Sequence, residues 1–386
     1  MDTTPRSNRV SIAFFGLRNA GKSTLVNAFT GQDIAIVSDT PGTTTDPVSK
    51  AMEILPLGPC LITDTAGLDD GGELGGMRVK RTLRVLETAD IAVWVDSGEG
   101  AADDVVSAKL HSGFLEECRR RGVVALEYRR GDSVEELKKR IASVKIGDVV
   151  PGLLDGLVEK GDRVVCVCPI DESAPKGRLI LPQVQLIRDC LDRHIAASIC
   201  QPEELAGELE LVGCGEDILV VTDSQAFAKV KEIISASARG RRVRLTSFSV
   251  LFARQKGDLG EFTAGLEALG KLKDGDTVLV AEGCTHHRQC NDIGTVKIPK
   301  AVERLSGRKL NFAFASGNTF DLPDGSAHVK PALVVHCGGC MLTRREVLRR
   351  IAAAKSAGVP IVNYGILLAA ASGVDIPVCN FTEKMR

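Results

Sequence analysis

The stretch Val10-Ser-Ile-Ala-Phe-Phe15-Gly16-Leu-Arg-Asn19-Ala-Gly21-Lys22-Ser23-Thr24 decides the architecture of the first third of this chain. An apolar run that ends in a glycine-rich turn and then opens a helical pattern reads as strand, loop and helix. The spacing Gly-x-x-x-x-Gly-Lys-Ser lets backbone N–H groups close around phosphate oxygens. The helix N-terminus adds its positive end, Lys22 reaches the β- and γ-phosphates, and the Ser23 hydroxyl goes to Mg2+. Gly16, Asn19, Gly21, Lys22, Ser23 and Thr24 are therefore the candidate nucleotide-binding residues.

Outward from this loop, Asp64-Thr-Ala-Gly67 follows the strand-like Cys60–Thr63. An Asp there can hold Mg2+, and the Gly67 N–H can meet a γ-phosphate. Between them lies Pro41-Gly-Thr43-Thr44-Thr45-Asp46, a polar loop whose Thr44 is the candidate to close over Mg2+. Lys22, Thr44, Asp64 and Gly67 are the candidate catalytic residues, with Ser23 and Asp64 as the Mg2+ ligands. Order and spacing resemble the first three sequence elements of translation-factor-type GTPases. Leu68 stands where those proteins carry a water-orienting glutamine. Asn19 resembles the loop asparagine of potassium-activated GTPases and is the candidate K+ ligand. The guanine-reading Asn-Lys-x-Asp is absent: strand-like Val123–Leu126 runs into Glu127-Tyr-Arg-Arg-Gly-Asp132 and a helical stretch at once, as if the loop were deleted.

The wider composition fits a multidomain α/β protein. At 386 residues, 44% apolar and 26% charged, two to four ordinary domains are expected. Lys and Arg (49) balance Asp and Glu (50), and aromatics are 4%, which argues against a nucleic-acid or membrane-surface partner. No segment reads as a membrane span or a signal peptide, so a cytoplasmic location is expected. Strand-like runs alternate with helical ones, which predicts parallel sheets. Residues 1–160 form the first expected domain, 161–244 a small central one, and 245–386 the last. The central unit, with its strand Arg163–Cys168 read as an open edge, is expected to bury apolar surface in a second copy. A helix is expected over Gln183–Ala197, and the basic Ala238–Arg244 reads as a connector.

Twelve cysteines in a reducing compartment are not a disulfide framework. Cys284-Thr-His286-His287-Arg-Gln-Cys290 follows the strand ending at Ala281, and His336-Cys337-Gly-Gly-Cys340 follows strand-like Ala332–Val335. Both sit where an open α/β sheet gathers its ligands. A lone C-x-x-C also fits a redox dithiol, but a third cysteine and several histidines favour metal. Zinc would take Cys284, Cys290, Cys337 and Cys340, whereas a [4Fe-4S] cluster takes thiolates and functions on three. Cys60, Cys118, Cys166, Cys168, Cys190, Cys200, Cys214 and Cys379 read as small core residues.

The combination resembles the [FeFe]-hydrogenase maturation GTPases, the HydF family, over nearly the whole chain. Gly16–Thr24, Pro41–Pro47, Asp64–Gly67, Pro169–Pro182, Ser247–Asp258, Cys284-Thr-His286 and His336-Cys337-Gly-Gly-Cys340 carry the resemblance. It implies an N-terminal P-loop GTPase, a central dimerisation domain and a C-terminal iron–sulfur domain. It further implies a [4Fe-4S] cluster on Cys284, Cys337 and Cys340, whose fourth position His286 or His336 occupies reversibly unless Cys290 closes it. The implied role is a scaffold, a homodimer or dimer of dimers. It receives a di-iron subcluster precursor from radical-SAM maturases and delivers it to apo-[FeFe]-hydrogenase. A zinc-containing P-loop GTPase of RNA modification or ribosome assembly is the alternative, kept open by the basic Arg239–Arg244. A nucleotide-independent cluster-binding protein with a decayed P-loop domain is the other.

Overall fold

The computed structural model describes residues 9–31, 48–68, 82–97, 104–145, 151–170, 179–212, 217–237, 240, 242–283, 292–317, 320 and 330–374. It divides into two compact units, Met1–Val149 and Val150–Arg386. The first contains β1 (Val10–Gly16), α1 (Lys22–Thr30), β2 (Val48–Ile54), β3 (Gly58–Asp64), β4 (Ile91–Asp96), α2 (Asp104–Arg121), β5 (Val124–Arg129) and α3 (Val134–Ala142). The sheet order is β2-β3-β1-β4-β5, parallel except for β2, which pairs antiparallel with β3. The uninterrupted apolar run of β1 follows from burial on both faces. Ile12 and Phe14 enter one core cluster, Ala13 and Phe15 the other.

The second unit holds two four-stranded parallel sheets. One is built from β6 (Arg163–Val167), α4 (Leu181–Asp192), β7 (Ala196–Cys200), α5 (Leu205–Leu211), β8 (Ile218–Thr222), α6 (Phe227–Ser237) and β9 (Val243–Ser247), in the order β7-β6-β8-β9. Helix α7 (Phe248–Lys256) then leads into α8 (Leu259–Glu267), β10 (Thr277–Glu282), α9 (Ile298–Ser306), β11 (Asn311–Ser316), β12 (Leu333–His336), α10 (Arg344–Ser356), β13 (Ile361–Asn363) and α11 (Tyr364–Ala371). Their strand order is β11-β10-β12-β13. Helix α7 belongs to both cores: Phe248, Leu251 and Phe252 join the central cluster, Val250 and Ala253 the last one.

Four details differ from the sequence expectations. The compact first unit ends at Val149 rather than near residue 160, and Leu153, Leu154, Leu157 and Val158 are buried in the central cluster. Strand β6 is interior and its Val164–Val167 are buried, so among the described strands the outer ones are β7 and β9 and not Arg163–Cys168. The expected helix 183–197 stops at Asp192; the chain turns through His194, at φ 55°, and re-enters the sheet as β7. Val243 and Arg244, expected in a connector, begin edge strand β9, so β9 also runs across the expected 244/245 boundary.

Helix α8 lies on β13 so closely that a Cβ built on Gly265 falls 2.0 Å from the Ile361 carbonyl oxygen. Intrinsic propensity favours Ala over Gly in a helix by about 1 kcal/mol, but a clash against backbone has no side chain to yield. Gly265→Ala should therefore destabilise the chain by about 1–3 kcal/mol, whereas Gly270→Ala, which meets open space, should not. Thermal denaturation of the two variants checks the sign.

Candidate functional site

In the first unit, β1 ends at Gly16 beside Val95 of β4, and α1 begins at Lys22 after Gly21. Lys22 is buried, and its Nζ donates to the carbonyls of Gly16 (3.2 Å) and Leu17 (2.6 Å). The ammonium thus lies on the inside of the loop. Asn19 is exposed at the loop tip with φ 58°, and Thr24 is exposed on the first turn of α1. Asp64 ends β3, fully buried. Its Oδ2 accepts from Ser23 Oγ at 2.6 Å, while Oδ1 has no hydrogen-bond partner among the described residues. Burial raises the Asp64 carboxyl above its ordinary value, against the Ser23 hydrogen bond and the Lys22 charge. A buried carboxylate with one orphaned oxygen beside a hydroxyl is the donor set a hard divalent cation takes, so Ser23 and Asp64 fit Mg2+.

The neighbouring positions are also informative. Gly67 lies just beyond the end of β3, and Leu68 N donates to the Gly16 carbonyl at 3.3 Å. The Leu68 side chain packs against the Phe15 cluster, leaving no polar group there to orient water. Thr44 lies outside the described residues. Strand β5 passes into α3 through residues 130–133 alone. In that turn Asp132 Oδ2 accepts from Arg129 N at 2.9 Å, and the Tyr128 hydroxyl donates to the Asp132 carbonyl.

In the second unit, β10 and β12 are neighbours, with Ala281 opposite His336. The loops that follow them leave the same sheet edge side by side. Gly283 N donates to Cys337 Sγ at 3.1 Å, and a Cβ on Gly283 would collide with Leu342. Cys284, His286 and Cys290 lie outside the described residues, but Gly283 brings the chain immediately before Cys284 against Cys337. Cys337 and Cys340 are half-buried, and neither is in a disulfide among the described residues. Burial pushes the Cys340 thiol up, with Lys256 opposing.

His336 does not stand as an expected ligand would. It is buried, its Nδ1 lies 2.7 Å from the Cys337 carbonyl, and its Nε2 faces Arg350 Nη1 at 3.3 Å. A guanidinium only donates, so Nε2 accepts and Nδ1 carries the proton. Burial and the Arg350 charge push the imidazole down to about 4, so it is neutral at pH 7. Both nitrogens are engaged in holding the fold. Cys60, Cys118, Cys166, Cys168 and Cys190 are buried and Cys200 half-buried, as core residues should be; Cys214 and Cys379 lie outside the described residues.

Sequence reasoning missed the residues that hold the cysteine loop. Lys256 Nζ donates to the carbonyls of Gly339 (3.2 Å), Cys340 (3.3 Å) and Leu342 (2.9 Å). Asn363 Nδ2 donates to the Cys337 carbonyl at 3.0 Å. Arg350, fully buried, binds Glu346 at 2.7 Å and the Gly317 carbonyl at 2.7 Å.

Comparison with known proteins agrees with this layout. Residues 11–121 match the 50S ribosome-binding GTPase family model. Residues 153–257 match the hydrogen maturase F dimerization domain and residues 260–376 its tetramerization domain, and the last two together span more than half the chain. The tRNA modification GTPase MnmE of Methylobacterium radiotolerans is 40% identical over 96 residues, 25% of this chain and 22% of that protein. GTPase Der of Xylella fastidiosa is 35% identical over 153 residues, 37% of this chain and 33% of that one. The chain thus spans between about a fifth and a third of these curated relatives. A crystal structure of Aquifex aeolicus Era bound to GDP.AlF4- aligns over 80% of this chain and 94% of that one, at 14% identity. Its TM-score of 0.27 is too low to carry an argument.

Lys22 donates to carbonyls of its own loop, and Lys22→Ala removes the cation that meets the phosphates. A loss of nucleotide affinity of at least a hundredfold, about 2.8 kcal/mol, is expected by equilibrium titration.

Proposed function

Because the chain belongs to the hydrogen maturase F family, we propose that it is a GTP-hydrolysing scaffold that holds a [4Fe-4S] cluster on Cys284, Cys337 and Cys340. Its cargo is a di-iron subcluster precursor, taken from radical-SAM maturases and passed to apo-[FeFe]-hydrogenase. The observation that carries the reading is the Gly283 N–H on Cys337 Sγ. It joins the two cysteine-bearing loops at one sheet edge. Cys337 and Cys340 come from a loop whose carbonyls are held by buried donors, which leaves their sulfurs as the donor atoms on offer. When bound, such a cluster supplies an iron position open to ligand exchange. His336 is committed to the fold, which leaves His286 or an external ligand for that position.

At the phosphate loop, Gly16 through Thr24 cradle the phosphates, Lys22 neutralises the β- and γ-oxygens, and Ser23 with Asp64 hold Mg2+. Thr44 and Gly67 complete the γ-phosphate end, and Asn19 is the K+ ligand. Leu68 cannot orient water, so hydrolysis is slow and K+ stimulates it. The four-residue turn after β5 has its carboxylate engaged on its own backbone, so GTP is preferred over ATP only weakly. A missing charged hydrogen-bond pair to the base costs about 1.5–3 kcal/mol, roughly ten- to a hundredfold. The balanced net charge of −1 favours this reading over the zinc-containing RNA-modifying GTPase, and no described helix is long and apolar enough to cross a membrane.

The protein acts as a dimer, or a dimer of dimers, in the cytoplasm. Among the described residues no strand pairs with the outer edge of β7, and Ile199 (50% exposed), Leu191 (67%) and Val184 (48%) lie on β7 and on neighbouring α4. A second copy is the natural cover for this face.

Two measurements test the proposal. Anaerobic reconstitution followed by metal analysis and EPR should give about four irons per chain, the cubane count, and a reducible cubane signal. Cys284→Ala, Cys337→Ala or Cys340→Ala should each abolish that signal, and Cys118→Ala should not. Stoichiometric zinc, or full iron occupancy in Cys337→Ala, would sink the assignment. In sedimentation, the double variant Leu191→Lys/Ile199→Lys should shift the dimer towards monomer; an unchanged distribution would locate the dimer interface elsewhere.

A further inference from the structure

Lys256 is 3% exposed, and among the described residues its ammonium hydrogen-bonds to the carbonyls of Gly339, Cys340 and Leu342 while facing the Phe252 ring at 4.8 Å. None of its described partners is a carboxylate. A buried cation without a counter-charge is costly, and proteins keep one where an anion belongs. The other buried cation beneath the loop, Arg350, does have its anion: Glu346, which also takes Arg349 in a two-pronged pair. Lys256 is thus a buried cation with no carboxylate partner among the described residues, and it lies against the loop that carries Cys337 and Cys340.

The backbone around it is arranged to match. The carbonyls of residues 337, 339 and 340 turn towards Asn363 or Lys256. In a trans peptide the N–H of the following residue points the opposite way, so the N–H groups of 338, 340 and 341 turn from these donors. The backbone groups of Cys340 and Met341 oppose the rise that burial imposes on the Cys340 thiol. The Gly283 N–H meets the other sulfur. The cysteine loop thus has an N–H donor on one sulfur and, on its carbonyls, an ammonium with no carboxylate partner among the described residues.

Resting on the cluster assignment above, we propose that Lys256 is the resident counter-cation of the cysteine site. It shapes the Cys337-Gly-Gly-Cys340 loop through its carbonyls, and its charge favours the more negative, reduced state of whatever thiolate-bound cluster occupies the site. Net charge and hydrogen bonds to sulfur set the potentials of such clusters. Lys256 is a positioning residue; it touches no reacting atom.

The test uses the full-length protein, reconstituted anaerobically with ferrous iron and sulfide, as parent and as Lys256→Met, Lys256→Gln and Lys256→Arg. Met keeps the stem's volume and Gln keeps a donor, but both lose the charge; Arg keeps it. Iron per chain and the midpoint potential from an EPR-monitored titration are read. At a fixed potential the Met and Gln variants should show at least a tenfold lower reduced-to-oxidised ratio, about 59 mV more negative for one electron. The Arg variant should stay near the parent. Loss of iron from Met and Gln but not from Arg would also support the proposal, as a charge needed for assembly. Parental potentials in Met or Gln, or equal shifts or equal iron loss in all three variants, would overturn it by reducing Lys256 to packing. A parent that takes up no iron–sulfur cluster at all would instead overturn the cluster assignment, and the inference with it.

Discussion

The cysteine loop keeps its shape because buried side chains from outside the loop hydrogen-bond its carbonyl oxygens, and most of the second unit's construction serves that arrangement. A loop at a sheet edge ordinarily meets water with its polar backbone. Here the carbonyls of residues 337, 339, 340 and 342 meet Asn363 and Lys256 instead. Those donors are fixed in turn: Asn363 by the start of α11, whose Gly365 N–H its Oδ1 accepts, and Lys256 by a helix buried between two cores. Beneath them His336 and Arg350 tie the end of β12 to the Gly317 carbonyl past β11. The sulfurs take their positions from this network together with the Gly283 N–H that meets Cys337 Sγ.

Helix α7 concentrates the consequence in three successive residues. Arg254 donates to the carbonyls of Leu153 and Asp155, Gln255 Nε2 to that of Pro151, and Lys256 to the cysteine loop. Arg344, on α10, reaches back to the Gln255 carbonyl at 2.7 Å. The segment that enters the second unit and the loop that carries the thiols are therefore held by the same turn of one helix. Residues 151–155 and Gly339–Leu342 are thus tied to one helix turn by side-chain hydrogen bonds to their carbonyls.

How much of this was legible depends on how far apart in sequence the cooperating residues are. The phosphate loop was legible almost in full, because Gly16 through Thr24 are contiguous and each has a stated mechanical task. So were the buried parallel strands, whose apolar runs follow from two covered faces. Strands β2, β7 and β9 were not, because an edge strand is half-exposed and carries a mixed pattern; Ala196-Ala-Ser-Ile-Cys200 continues a helix as readily as it begins a strand. The Cys-x-x-C was visible but its support was not: Lys256 lies 83 to 86 residues from the carbonyls it holds, and no local pattern marks it. His336 misled for the opposite reason. Adjacent in sequence to a candidate ligand, it is turned by Arg350 into the core, a fact of packing that spacing cannot express.

The two sites share one electrostatic device. In each, a loop at the C-terminal end of a parallel strand turns main-chain carbonyls onto the ammonium of an almost wholly buried lysine: Gly16 and Leu17 onto Lys22, Gly339, Cys340 and Leu342 onto Lys256. Carbonyl dipoles help solvate each charge and keep it in place. At the first loop the lysine lies on the binding strand's own turn, so the anion can draw it forward, as a phosphate does. At the second it is anchored from a separate helix by three hydrogen bonds, so its charge stays fixed behind the sulfurs. The first arrangement suits a ligand that arrives and departs with each nucleotide cycle, the second a group that remains resident.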